Sequence, residues 1–182
     1  SNPTVDRSIS LTIGNANFLP SSGQYYEFVS TVNITWTAAN SAAESKSYFG
    51  MQGYLATIQS REEAVLVGEL SPGVGWIGGT DQEQEGVWKW AGGPEKGITF
   101  WEGGVNGSSP NFAFWNNNEP NNLGNEDYAH ITDNSIGING SWNDLPNQTT
   151  TSGSYQAKGY VVEYGGMPGD PELDFSTSTR LI

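Results

Sequence analysis

The chain has 182 residues, with 20 acidic against 7 basic side chains and a formal net charge of −13. A surface of that sign repels nucleic-acid phosphates and anionic lipid headgroups, so no nucleic acid partner is expected, and no apolar run approaches the roughly 20 residues that span a bilayer, so no membrane insertion is expected either. Cysteine is absent and His130 is the single histidine, which removes disulfides, thiol nucleophiles and multi-histidine metal sites and leaves oxygen chemistry, with carboxylates and amides suited to a hard cation such as calcium.

In chain order, Ser1 to Ser10 lack the basic-then-apolar pattern of a secretion signal, and the chain reads as a piece of something longer. Residues 1 to 22 alternate around Ile9, Leu11 and Ile13 and read as a leading strand and turn, followed by a strand through Tyr25, Tyr26, Phe28 and Val29. From Thr35 to Ser47 the spacing of Trp36, Ala39 and Ala43 predicts a first helix. Ser60 followed three residues later by Glu63 is a capping box, each side chain serving an orphan backbone donor, and predicts a second helix from Arg61 to Leu70.

Beyond Pro72 short strands are expected at Trp76-Ile77, Val87 to Trp90, Tyr128 to Ile131, Ser141-Trp142 and Tyr160 to Tyr164. The stretch from Gly92 to Asn125 has too little periodicity for regular structure; Trp101, Phe112, Phe114 and Trp115 make it a packed loop. Trp76, Trp88 and Trp142 read as core anchors, and His130 as an ordinary, partly exposed strand residue. Residues 166 to 182 read as a linker or C-terminal extension. Asn33, Asn106, Asn139 and Asn147 head Asn-x-Ser/Thr triplets that an Asn- and Thr-rich chain produces by chance.

Three clusters carry the chemistry: Asp81 to Glu85, Glu119 to Asp127, and Trp142-Asn143-Asp144. They supply enough carboxylate and amide oxygens for one or two calcium sites of about six to eight ligands. Extended backbone would point Glu119 and Asn121 the same way, and a cis bond before Pro120 would aim both at one ion.

At these residues the chain resembles the C-type lectin-like domain. The resemblance covers about residues 23 to 165: two helices, Trp76-Ile77-Gly78-Gly79, Glu119-Pro120-Asn121, Trp142-Asn143-Asp144 and the closing strand Tyr160 to Tyr164. It implies an α+β fold with short antiparallel sheets and a long calcium-binding loop region. It implies Glu119, Asn121, Glu126, Asn143 and Asp144 as ligands of a calcium ion that binds vicinal sugar hydroxyls, and Asp81, Glu85, Glu126 and Asp127 around an auxiliary ion, with Asn122 where some members have aspartate. The order of Glu119 and Asn121 is the one that, in this family, goes with mannose, glucose, N-acetylglucosamine or fucose over galactose. Animal members carry disulfides where this chain has Tyr128 and Val162, and the interval from Glu119 to Glu126 is one residue shorter than in the mannose-binding members. Disulfide-free forms resemble modules of large secreted bacterial adhesins, which implies an extracellular setting, cell-surface glycans as partners and no enzymatic activity. Two other readings stand beside this one: a peptide or protein carboxylate captured by the same calcium, and a glycoside hydrolase built on two carboxyl groups.

Overall fold

The structure, a computed structural model, describes residues 11–13, 15–171 and 173. Ile9 and most of the C-terminal segment therefore lie outside the described residues. The chain opens with strands β1 (Leu11–Ile13), β2 (Ala16–Leu19) and β3 (Gln24–Ser30), paired antiparallel in sequence. Helix α1 (Trp36–Glu44) follows, then the hairpin β4 (Ser47–Tyr48) and β5 (Met51–Leu55), helix α2 (Arg61–Leu70) and β6 (Val74–Thr80). The second half holds β7 (Val87–Trp90), β8 (Thr99–Glu102), β9 (Tyr128–Ile131), β10 (Trp142–Leu145) and β11 (Ala157–Tyr164). The expected α+β class and both helices are present.

β11 organises the sheet. It pairs antiparallel with β3 and β5 and parallel with β6. β6 then carries β7 and β9 antiparallel, β7 carries β8, and β9 carries β10. Because side chains alternate along a strand, Tyr160, Val162 and Tyr164 of β11 enter one core cluster with Trp36, Ala39 and Ala43 of α1, while Val161 enters a second with Ala64 and Val67 of α2. The second cluster continues as an aromatic group, Trp88, Trp90, Phe100 and Trp142, flanked by Phe112, Phe114 and Trp115.

Local chemistry explains the element ends. Thr35 caps α1, its hydroxyl accepting from the Ala38 N–H at 3.2 Å, and Asn147 adds a second cap on the Thr37 N–H at 3.0 Å. The helix stops short of the expected Ser47 because Ser47 and Tyr48 are taken into a hairpin whose two-residue loop, Phe49-Gly50, has φ of 49° and 88°, the left-handed pair such a tight turn requires. Ser60 caps α2 at the Glu63 N–H, but Glu63 serves the Gln59 N–H.

Tyr128 and Val162, at the positions where the resemblance implies cysteines in animal members, are packing residues here. Val162 is fully buried, and Tyr128, 3% exposed, lies against Trp36 with ring centroids 4.7 Å apart. Two expectations are corrected. The 92–125 stretch contains regular structure, β8, held on β7 with Phe100 turned inward beneath Trp90. His130 is not partly exposed but fully buried, because β9, paired between β6 and β10, is buried on both faces.

Candidate metal site

The site is built over the aromatic group. The N–H of Trp142 donates to the Phe114 carbonyl at 2.8 Å and its own carbonyl accepts from the Asn116 N–H at 2.7 Å, which lays the chain leading to Glu119 along the start of β10. Trp142 packs edge-on against Trp90, Phe100 and Trp115, so its ring fixes β10 from below. Asn116 was not expected as a site residue. Its carbonyl accepts from the Glu119 N–H at 3.1 Å and its side-chain oxygen from the Ile138 N–H at 3.2 Å. The run Asn116-Asn117-Asn118 was the available signal, since asparagine enters turns and left-handed backbone readily, as Asn118 does at φ 64°.

Glu119-Pro120 is cis. The next residues form a tight loop with Asn122, Gly124 and Asn125 at positive φ. Asp144 stitches this loop to β10: one carboxylate oxygen accepts from the Asn121 N–H at 3.1 Å and the other from the Asn122 N–H at 2.8 Å. Within the loop the Leu123 N–H donates to both Asn121 Oδ1 (2.9 Å) and Glu126 Oε2 (3.0 Å), and the Glu126 N–H to Asn122 Oδ1 (2.7 Å). Leu123 itself stands out, 79% exposed, at the tip.

Electrostatically the site is a set of like charges. Burial, then the charge of Asp144, pushes the Glu119 carboxyl up to about 8, and the protonated Glu119 donates to the Asp144 carboxylate. Burial and Asp144 push Glu126 up to about 7. Asp81 rises to about 7 through burial, with Glu85, Asp127 and Asp144 adding to it. Asp144 itself is raised by burial. The only ion pairs among the described residues, Lys46 with Glu27 and Lys89 with Glu83, involve none of these groups.

The structure brings Glu119, Asn121, Glu126 and Asp144 into one bonded loop, with Asn143 beside Asp144 on β10. Asp81 is tied to the loop's end by its N–H to the Asp127 carbonyl (3.2 Å) and holds the Gly86 N–H at 2.8 Å. Asp127 takes the Asn125 amide at 3.1 Å, and Glu85 is exposed next to this pair. Asp81 feels both Asp127 and Asp144, so the two expected ligand sets adjoin.

The donor set fits a hard cation. Glu119 Oε2 and Asp81 Oδ1 are buried oxygens without a hydrogen-bond partner, and an acceptor in that position calls for a donor or a positive charge. The fit is one of chemistry and not of a finished cage: among the described residues no three carboxylate or histidine side chains are gathered closely enough to hold an ion. Asp144, Asn121 and Glu126 spend their oxygens on loop N–H groups instead.

Fold and site together define a class. The chain superposes on the C-type carbohydrate-recognition domain of cow CD23 with a TM-score of 0.58 at 21% identity, covering 85% of this chain and 96% of that one, a likeness of fold. Lectin BRA-3 of Megabalanus rosa is 30% identical over 132 residues, which cover 72% of this chain and 69% of the lectin. The chain belongs to the C-type lectin family. It is also 41% identical over 169 residues, 91% of its length, to halomucin of Haloquadratum walsbyi, of which it spans 2%. No protein-family profile matches it. No helix among the described residues is long and apolar enough to cross a membrane.

Proposed function

We propose that this chain is a calcium-dependent carbohydrate-binding module of a larger extracellular adhesin, recognising vicinal hydroxyls of mannose-, glucose- or fucose-type sugars. The observation that carries the reading is the convergence of Glu119, Asn121, Asn143 and Asp144 from two motifs at one loop, with a buried oxygen left unpaired on Glu119. Calcium, when bound, supplies charge and two coordination positions that a pair of hydroxyls can fill. Glu119 and Asp144 would hold the ion by carboxylate oxygens, with Asn121, Asn143 and Glu126 completing the set, and Asp81, Glu85, Glu126 and Asp127 would hold a second ion. Glu119 accepts a hydrogen bond from one sugar hydroxyl and the Asn121 amide donates to the other. That order of acceptor and donor is what supports a mannose-type preference.

Large size in the halomucin relative supports a module of a long surface protein. A hydrolase reading is disfavoured by the contact between Glu119 and Asp144, since glycosidases hold their two carboxyls about 5 to 9.5 Å apart around the scissile bond. The test is a calorimetric titration with calcium followed by a methyl mannoside. Heat from the sugar only after calcium supports the reading; equal heat in the presence of a chelator overturns it.

A further inference from the structure

We propose that His130 is a positioning residue for this site, its Nε2 taking a hydrogen bond from the side-chain amide of Asn143 and so fixing which way the Asn143 carbonyl oxygen is presented. The inference rests on the reading of Asn143 as a ligand, but the hydrogen bond can be tested without it.

His130 on β9 and Asn143 on β10 are direct partners in the antiparallel register, and Trp76 on β6 is the partner of His130 on its other side. Opposed residues place their side chains on one face with Cβ atoms about 4.5 to 5.5 Å apart, so Trp76, His130 and Asn143 form a row across three strands. The imidazole is fully buried and its Nδ1 lies 2.7 Å from the Ile131 carbonyl. A carbonyl only accepts, so Nδ1 carries the proton, and Nε2 of the neutral ring is an acceptor. Burial keeps the ring neutral, lowering its pKa to about 4.

Nε2 has no partner, and neither has Oδ1 of Asn143, a residue 5% exposed. Two buried acceptors on neighbouring side chains are an unstable pairing, each short of a donor. Trp76 cannot supply one: its indole N–H is committed to the Ile34 carbonyl at 2.9 Å, and its ring stands at 89° to the imidazole with centroids 6.0 Å apart. The row therefore offers Nε2 one amide donor, Nδ2 of Asn143. A half-turn of that amide exchanges its oxygen and nitrogen, satisfies Nε2 and carries the carbonyl oxygen to the opposite side of the group. A residue behind a metal ligand that fixes its orientation typically contributes about 10- to 100-fold to metal affinity.

The single histidine makes the test direct, because it gives all the imidazole signals in a long-range proton–nitrogen NMR spectrum of the chain. The expected result near neutral pH is a protonated Nδ1, a bare Nε2 and an Asn143 amide whose protons exchange slowly. His130→Leu should release that amide and weaken calcium binding by about 10- to 100-fold, whereas His130→Gln, which restores an acceptor, should stay within about threefold of wild type. A proton on Nε2, an Asn143 amide unchanged in His130→Leu, or equal losses in both variants would overturn the proposal. If His130→Leu does not fold, the wild-type spectrum and His130→Gln still decide. Wild-type protein that takes up no calcium while showing the bare Nε2 and the protected amide would refute the proposed function and leave the hydrogen bond standing.

Discussion

Calcium binding should be coupled to proton release, and the structure gives the stoichiometry. At pH 7 the Glu119–Asp144 pair shares close to one proton, because Glu119 is raised to about 8, and Glu126 and Asp81, each raised to about 7, hold about half a proton apiece. An ion that occupies these oxygens must displace them, about two protons in all, if both expected sites fill. Since the logarithm of the binding constant changes with pH by the number of protons released, affinity should fall by about two powers of ten per unit near pH 7, steepen toward three below about pH 6 as Glu126 and Asp81 fill with protons, and flatten above about 9. For the calcium-free fold the sign is opposite. These carboxyls are raised above their unfolded values, so they contribute stability that is complete below about pH 4 and is lost as pH rises through about 7 to 8. The assay is calorimetry in two buffers of different ionisation heat, whose difference counts the protons. Release of fewer than about half a proton at pH 7, with affinity unchanged from about pH 5.5 to 8, would refute the ligand assignment.

Four further outcomes follow from particular side chains. Asp144→Ala removes the group that holds the Asn121 and Asn122 N–H and should abolish sugar binding, whereas Asp81→Ala should lower calcium-dependent thermal stability more than sugar affinity; calcium titrations and sugar binding on both variants separate the two. Glu119→Gln with Asn121→Asp exchanges acceptor and donor while keeping the charge sum, so affinity for mannose-type ligands should drop by roughly one to two orders of magnitude as galactose-type ligands gain, read by competition binding. Glu163 is fully buried, its carboxylate oxygens accepting from the Tyr54 hydroxyl (3.0 Å) and the Thr57 N–H (2.8 Å), and burial raises its carboxyl well above the ordinary range. Glu163→Gln should therefore gain melting temperature relative to wild type as pH rises, since the raised carboxyl loses its stabilising effect as pH climbs. Gly140→Ala would drive a methyl group into the Ala64 carbonyl of α2 at a φ of 77° and should destabilise by several kcal/mol in denaturant melts.

Much of this architecture was legible because local chemistry and long-range packing agree. The Ser60–Glu63 spacing marks α2, and the apolar run of Tyr160 to Tyr164, broken only by Glu163, marks a strand covered on two faces. β8 was not legible: four residues within a glycine-rich stretch carry no period, and what makes them a strand is pairing with β7 and burial of Phe100 under Trp90. His130 was misjudged for a related reason, since a lone polar strand position reads as exposed until the fold buries both faces of β9. The motif residues of the site were legible by type and order. Their internal hydrogen bonds were not, because which oxygen of Asp144 takes which loop N–H is set by a backbone whose turns come from Asn122, Gly124 and Asn125.

The central claim is that this loop recognises sugars through calcium. A glycan array probed with the same protein in millimolar calcium and again with chelator tests it most directly. The account predicts binding to mannose-, glucose- or fucose-terminated glycans that vanishes in chelator and is absent from Asp144→Ala. Binding that persists in chelator, or an array left blank in calcium by a folded protein, would contradict it.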